Sequence, residues 1–264
     1  MAQAEVLYGR GTISFDVPDD AEVTIVRKPV AEKLSDPRAA VARALDDEPI
    51  DSAPLTELAR GRSSACIVVC DITRPVPNHL FLRPCVERLV AAGIGLEAIT
   101  ILVATGLHRV GDDAELAELI GDPWVIEHVR VEWHDARDPH QLVDLGHTAT
   151  RHTPIVLNRS LVEADLRIVT GLVEPHFMAG WSGGRKVVAP GVAGHETIRT
   201  FHSARFMEDP GAVQCNLEGN PLHEEQLEIV ATLGEVHAIN TVIDEDRDLV
   251  AVTFGEVVAS HLAA

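Results

Sequence analysis

The chain has 264 residues, of which 46% are hydrophobic but only 4% aromatic, so a core has to be built mainly from Val, Leu, Ile and Ala. The formal net charge is −19, from 41 acidic against 22 basic residues, which argues against nucleic acid or an anionic membrane as the main partner. The N-terminus lacks the basic and apolar segments of a signal peptide, and no stretch reaches the roughly 18 apolar residues of a membrane helix, so we expect a cytoplasmic protein.

Predicted strands and helices alternate along the chain. Glu5–Tyr8 and Thr12–Phe15 predict a β-hairpin around a Gly9-Arg10-Gly11 turn. Short apolar runs then predict strands at Glu22–Val26, Cys66–Cys70, Ile99–Ala104, Val129–Trp133, Leu166–Thr170, Ala238–Ile243 and Leu249–Phe254. Amphipathic runs predict helices at Pro37–Leu45, Asn78–Ala92, Asp112–Leu119, Ala193–Phe201 and Leu222–Leu233. Asn78 is expected to cap its helix, and Gly93 to end it.

This alternation predicts a single α/β domain over residues 1–264: a doubly wound, mostly parallel sheet with helices on both faces, preceded by the short hairpin. Ligands of such sheets bind at the carboxyl ends of the strands. Asp71 and Arg74 follow one predicted strand, His108 follows the next, and His176 follows a third. We therefore expect a carboxylate, an arginine and two histidines at one edge of the sheet.

Two of these segments have an alternative interpretation. In a binding site, the planar guanidinium of Arg74 would hold a carboxylate or phosphate, and Asp71 would orient it or a ligand hydroxyl. Alternatively, the segment is a helix-entry turn in which Asp71 and Thr73 cap the helix. The imidazole of His108 is a side chain that suits a general base, although a loop histidine often only satisfies a backbone carbonyl.

The segment 171–203 is rich in glycine and histidine, a composition that a packed core does not require. Glycine lets the backbone approach a ligand closely and exposes N–H groups. Lys186 follows Ser182, Gly183, Gly184 and Arg185, so an amine that is nucleophilic or binds phosphate is expected to project from this loop.

Other histidines and cysteines give weaker signals. His195 and His202 are seven residues apart, too far for the paired ligands of a zinc helix, which leaves open a metal-binding role for one of them. A minor alternative is a hydrolase whose zinc is held by His195, His202 and Cys215. We expect Cys66 and Cys70 to be small core residues. The remaining histidines, which include His128, His134 and His152, are expected to be solvated.

Four segments, DITRPVP, ATGLHR, EPHFMAGWSGGRK and FHS, resemble in order and spacing the signature segments of the nickel-pincer lactate racemase family. The resemblance runs from about Tyr8 to the end of the chain. It implies a nickel ion held by pyridinium-3-thioamide-5-thiocarboxylate mononucleotide, the nickel pincer. Lys186 would be the thioamide tether of this cofactor, and His202 would complete the nickel coordination.

The resemblance also implies roles for the other candidate residues. His108 and His176 would be the two acid/base residues. Asp71 and Arg74 would line the cofactor and substrate pocket. The rest of the cofactor-binding set would be Thr73, Ser182, Gly183, Gly184 and Arg185.

The activity implied is isomerisation, in which a lactate-like 2-hydroxy acid is racemised or epimerised. One histidine takes the hydroxyl proton as hydride passes to the pincer ring or metal, and the opposite histidine supplies a proton after the 2-keto acid has reoriented. Family members carry a second domain that contributes to the substrate pocket, and this chain ends about where the first domain should finish. A separate domain or subunit is thus an expected partner, besides the small substrate. The alternative is a cofactor-binding domain without turnover.

Overall fold

The structure is a computed structural model that describes residues 2–9, 11–27 and 30–264. The chain divides into two compact units, Met1–Val30 and Ala31–Ala264. Across the described residues, no helix is both long enough and apolar enough to cross a membrane.

The first unit contains the expected hairpin. Strands β1 (Ala2–Tyr8) and β2 (Gly11–Val17) are antiparallel, with Val6 opposite Ile13. Arg10 of the predicted turn lies outside the described residues. The strand predicted at Glu22–Val26 is wrong, because residues 21–27 have no regular secondary structure and are exposed. An apolar run becomes a strand only when another strand takes up its backbone hydrogen bonds, and among the described residues none pairs with this one.

In the described residues, the second unit is built on a six-stranded sheet and two short antiparallel pairs of strands. Its strands are β3 (Ala65–Cys70), β4 (Ile99–Ala104), β5 (Arg130–Trp133), β6 (Leu142–His147), β7 (Pro154–Asn158), β8 (Leu166–Leu172), β9 (Pro175–His176), β10 (Gly180–Trp181), β11 (His237–Ile243) and β12 (Leu249–Glu256). The order in the large sheet is β12-β11-β8-β3-β4-β5. Only β12, at one edge, runs antiparallel to its neighbour. The antiparallel pairs β6-β7 and β9-β10 have no counterpart among the predicted strands.

The strand order creates a switch point between β3 and β8. From β3 the chain proceeds to β4 and β5 on one side, whereas β8 is followed by β11 and β12 on the other. The loops that leave the carboxyl ends of β3 and β8 therefore diverge and leave a crevice between them. In open α/β sheets this is the place where ligands bind.

Helices cover the sheet on both faces, as predicted. They are α1 (Pro37–Asp46), α2 (Leu55–Ala59), α3 (Asn78–Ala91), α4 (Asp113–Ile120), α5 (Pro123–His128), α6 (Arg159–Val162), α7 (Arg185–Val188), α8 (His195–Phe201), α9 (Ala204–Met207), α10 (Pro221–Ala231) and α11 (Val257–Ala263), with a 3-10 turn at Leu96–Ala98. Alternate residues of β3 enter two different cores: Cys66 and Val68 pack beneath α6–α11, and Ile67 and Val69 beneath α1–α5. This alternation is the signature of a sheet buried on both faces.

The predicted helix ends are correct to within about two residues, but one cap is not. Asn78 is the first helical residue of α3 rather than its cap, a position taken by Pro77. The Asn78 side chain instead donates to the carbonyl oxygen of Leu119 at 2.9 Å, because it is buried and needs a partner there. Gly93 follows the helix with a φ of 108°, as expected of a residue that ends one.

Candidate active site

A cavity of about 400 Å³ opens at the carboxyl ends of β3, β4 and β8. It lies at the switch point of the sheet, and its size falls in the range of small-molecule sites. All of the site residues expected from the sequence line it, except Gly184 and Arg185. Those lining it are Asp71, Thr73, Arg74, His108, His176, Ser182, Gly183, Lys186 and His202.

Asp71 and His108 form a hydrogen-bonded pair in this cavity. Asp71 directly follows β3 and is 7% exposed, and its Oδ2 lies 2.6 Å from Nδ1 of His108. Its Oδ1 accepts from the hydroxyl of Thr73 at 2.6 Å and from the Thr73 N–H at 3.3 Å. An ionised carboxylate only accepts, so the His108 proton sits on Nδ1 and Nε2 is the accepting nitrogen. Asp71 thus orients a histidine, and neither Asp71 nor Thr73 caps α3.

His176 is held by a tight hairpin between β8 and α7. It belongs to β9, which pairs with β10 so that His176 lies opposite Gly180. Within the turn, Nδ1 of His176 accepts from the N–H groups of Met178 at 3.4 Å and Ala179 at 3.2 Å. Burial, and then the positive charges of Lys186 and Arg74, lower the pKa of His176 to about 4. The ring is therefore neutral at pH 7.

Two cations give the cavity a positive character that contrasts with the acidic chain. Burial, and then the charge of Arg74, lowers the pKa of Lys186 to about 8. Near neutral pH, a measurable share of the Lys186 amine is then unprotonated and nucleophilic. The guanidinium of Arg74 has no ion-pair or hydrogen-bond partner among the described residues, so its planar fork is available to an anionic ligand.

His202 presents one ring nitrogen to the cavity. It follows α8, and its Nδ1 lies 2.8 Å from the carbonyl oxygen of Ile198. A carbonyl oxygen accepts, so Nδ1 carries the proton and Nε2 keeps the lone pair that a metal ion requires. The backbone of α8 therefore fixes both the tautomer and the orientation of this ring.

Arg185 faces away from the cavity, contrary to its expected place beside Lys186. It is 0% exposed, and its Nε donates to Nδ1 of His223 at 2.9 Å. One Nη lies 2.8 Å from Nε2 of His261, and the other donates to the carbonyl oxygen of Ala179 at 3.1 Å. Neighbouring residues of a helix point about 100° apart, so α7 sends Lys186 into the cavity and Arg185 into the protein.

Several histidines expected to be solvated are buried instead. His223 and His261 hold Arg185, and they are 8% and 4% exposed. His134 is 1% exposed, and its ring lies within hydrogen-bonding distance of the Asn158 side chain and the Ala193 carbonyl oxygen. A buried guanidinium needs polar partners, but these partners are 38 and 76 positions away from it in the chain. No local pattern could have identified them.

The glycines before α7 serve packing between protein segments. A Cβ on Gly183 would lie 2.8 Å from Cγ2 of Val173, and one on Gly184 would lie 2.8 Å from Cβ of His261. Both residues also have a positive φ, of 78° and 49°, which side chains disfavour. The Gly184 N–H donates to the Asn240 side chain at 3.0 Å rather than being exposed to a ligand. The close approach that glycine permits here is thus between chain segments.

The two cysteines of β3 have different surroundings. Cys66 is fully buried in the core, as expected, whereas Cys70 lines the cavity. The Cys70 thiol lies 3.6 Å from the carbonyl oxygen of Thr170, and burial raises its pKa to about 11. The Cys70 thiol is therefore protonated, and it lines the cavity without offering a thiolate ligand.

The residues of the zinc alternative do not form a metal site. Through the described part of the chain, no group of three or more His, Cys, Asp or Glu side chains is arranged to hold a metal ion. His195 begins α8 and lines a separate shallow depression with Arg137 and Leu142. Cys215 is exposed in a loop with a φ of 60°.

Fold and cavity together define an α/β protein with a histidine-rich, cationic site at the switch point of a mostly parallel sheet. The family model described as the lactate racemase N-terminal domain matches residues 8–214, which include every residue lining the cavity. The chain belongs to this family, the lactate racemase N-terminal domain family.

Related proteins cover nearly the whole chain. It is 34% identical to the lactate racemase of Lactiplantibacillus plantarum and 31% identical to that of Thermoanaerobacterium thermosaccharolyticum, over 99% of its length in both cases. The structure of the lactate racemase apoprotein from T. thermosaccharolyticum matches with a TM-score of 0.84 at 31% identity, over 99% of this chain and 61% of that chain. A crystal structure of a Thermotoga maritima protein, 24% identical, shares the fold with a TM-score of 0.66 over 79% of this chain and 55% of that one. The chain spans 61% of the length of the two lactate racemases.

Proposed function

We propose that this chain is the cofactor-binding and catalytic part of a 2-hydroxy-acid racemase or epimerase of the lactate racemase kind. The observation that carries the proposal is the meeting, in one cavity, of an Asp71–His108 pair, a neutral His176, an unpaired Arg74 and an amine at Lys186. A carboxylate-binding cation beside a histidine base is what a 2-hydroxy acid requires, because such an acid offers a carboxylate and an adjacent hydroxyl.

The residues present fit the nickel-pincer nucleotide that the family implies. Lys186 has an amine whose lowered pKa suits covalent attachment, and its side chain is in the cavity. His202 has a free Nε2, a single imidazole donor that suits a metal whose other ligands come from the nucleotide. Thr73, Ser182 and Gly183 line the same space. Gly184 and Arg185 would act indirectly, through the position of α7.

When bound, the group would supply acceptance and return of the hydride at C2 of the substrate. The chain supplies binding and proton transfer. Arg74 would bind the substrate carboxylate through its fork, and Nε2 of His108 would take the hydroxyl proton. Asp71 would then stabilise the imidazolium that forms, as the carboxylate partner of a histidine base does. His176 would face the same substrate from a different strand end.

Covalent attachment provides the first test. The chain contains three lysines, Lys28, Lys33 and Lys186. After co-expression with enzymes that make the cofactor, the intact mass should increase by one adduct, and Lys186→Ala should abolish the increase. Lys33→Ala is the matched control, since Lys33 pairs with Asp248 at 2.8 Å on the surface and should leave the adduct unchanged. An adduct that survives Lys186→Ala would exclude the proposed tether.

A second candidate function is a cofactor-binding module without turnover of its own. The residues that fit the cofactor, Lys186 and His202, favour it, because holding the cofactor does not by itself require turnover. Chiral chromatography separates the two candidates. The enzyme interconverts the enantiomers of a 2-hydroxy acid once the adduct is present, whereas the module carries the adduct and leaves both enantiomers unchanged.

A further inference from the structure

The helix that carries Lys186 is too short to hold its own position. α7 has four residues, about one turn, and no side chain caps its first N–H groups. A single turn of helix is unstable by itself, because it fixes several backbone dihedral angles for very few hydrogen bonds. The direction of the Lys186 side chain therefore depends on the contacts that α7 makes with other parts of the chain.

Arg185 provides such contacts, and they reach three separate segments. Its Nε donates to Nδ1 of His223 on α10 at 2.9 Å, and one Nη lies 2.8 Å from Nε2 of His261 on α11. The other Nη donates at 3.1 Å to the carbonyl oxygen of Ala179, in the turn between β9 and β10. A single side chain thus connects α7 to two helices and to the turn that also carries His176.

Stability alone does not account for a charge at this position. Arg185 is fully buried, and its three partners are neutral at pH 7, because burial lowers the pKa of His223 and His261 to about 4. Burial also lowers the pKa of Arg185, to about 10, so the guanidinium itself is still charged at pH 7. Removing a charge from water without an opposite charge beside it is costly, whereas an apolar side chain of similar size avoids that cost. The buried guanidinium therefore indicates a role beyond packing.

We propose that Arg185 is a positioning residue for the tether: anchored by α10, α11 and the β9–β10 turn, it holds the amine of Lys186 inside the cavity. Neighbouring residues of a helix point about 100° apart, so a fixed Arg185 side chain fixes the direction of the next one. Among the described residues that line the cavity, none belongs to α10 or α11, so these helices would act on the site through Arg185. Attachment at Lys186 rests on the proposed function, whereas the position of the amine can be tested without any cofactor.

The pH dependence of amine modification reports where the Lys186 amine lies. Burial, and then the charge of Arg74, lowers its pKa to about 8, so a small neutral reagent should modify it in the cofactor-free protein with a midpoint near pH 8. If Arg185→Met lets the amine leave the cavity, the midpoint should rise towards about 10.4, the ordinary value for lysine. Arg185→Lys keeps the charge but reaches fewer of the three acceptors, so its midpoint should lie between these values. A wild-type midpoint in the variants that fold would overturn the inference.

A matched control separates positioning from a general loss of stability. Leu89 is fully buried in the core beneath α1–α5, on the face of the sheet opposite to α7. Leu89→Ala leaves a cavity in that core and should lower the Tm. It leaves every contact of Arg185 in place, so the Lys186 midpoint should stay near pH 8. A rise as large as that in Arg185→Met would show that any destabilising substitution moves the amine, and it would overturn the inference.

Intact mass after co-expression with the enzymes that make the cofactor relates the inference to attachment. A misplacement of about 1 Å can lower a rate by about 10²-fold, so Arg185→Met should carry at least about 10-fold less adduct than the wild type. Leu89→Ala should carry as much adduct as the wild type does. A wild-type amount of adduct on Arg185→Met would contradict the positioning role. A wild type that never gains an adduct would instead refute the proposed function, and the modification midpoints would still decide the position of the amine.

Discussion

Replacement of Arg185 by alanine tests whether the buried guanidinium fixes the position of α7 and Lys186. The variant leaves Nδ1 of His223 without the donor that faces it at 2.9 Å, whereas Nε2 of His261 keeps the Ser182 carbonyl oxygen at 2.8 Å as a partner. The Ala179 carbonyl oxygen keeps a second donor, the Trp181 N–H at 2.9 Å. A buried group without a partner costs about 1–3 kcal/mol, and truncation of the fully buried Arg185 side chain adds the cost of a cavity, so we expect a loss of about 2–5 kcal/mol once water has partly filled the space.

Thermal unfolding followed by circular dichroism would measure this loss. For a chain of this length, 1 kcal/mol corresponds to about 2 °C, so the Tm of Arg185→Ala should fall by about 4–10 °C. Arg130→Ala is the matched control, because Arg130 is exposed and pairs with the nearby Glu132 on the surface of β5, and its loss should not change the Tm measurably. A Tm for Arg185→Ala within about 2 °C of the wild type would refute the reasoning.

Three further predictions concern the amine, the glycine turn and the buried histidines. Amine modification followed by mass spectrometry should give a midpoint near pH 8 for Lys186. Lys33 should react only at higher pH, because its hydrogen bond to Asp248 raises its pKa. Equal midpoints for the two amines would contradict the burial of Lys186. Gly184→Ala should lower the free energy of unfolding by about 1–3 kcal/mol in a denaturant titration, because its φ is 49°, and an unchanged midpoint would contradict the strain. Burial lowers the pKa of His176, His223 and His261 to about 4. The unfolded chain, whose histidines have a pKa of about 6.5, therefore binds more protons than the folded one, and stability should fall as the pH drops from about 6.5 towards 4. A constant Tm over that window would show that these rings are solvated.

The sequence predicted the sheet and the cavity because both depend on local signals. Apolar runs such as Ile99–Ala104 are recognisable one strand at a time, and in a parallel sheet the residues that follow each strand meet at one edge. From the sequence alone, Asp71, His108 and His176 could therefore be expected at one edge of the sheet. Glu22–Val26 has the same local signal, but it forms no strand because pairing is not encoded in the run itself.

Other features depend on contacts between distant segments. Whether Arg185 or Lys186 enters the cavity is decided by where α7 begins and by the partners His223 and His261, which come from α10 and α11. The tautomer of His176 is set by N–H groups of its own turn, but a two-residue strand such as β9 has too few residues to show a pattern. Sequence reasoning could find residues that line the cavity, whereas their protonation states required the geometry.

The measurement that tests the central claim most directly is chiral chromatography of a panel of 2-hydroxy acids, with lactate included, after incubation with protein shown by intact mass to carry one adduct. We expect a single enantiomer of at least one acid to become a mixture of both, and we expect Lys186→Ala, which carries no adduct, to leave it unchanged. Loaded protein that leaves every acid in the panel optically pure would contradict the assignment of this cavity as a racemase site.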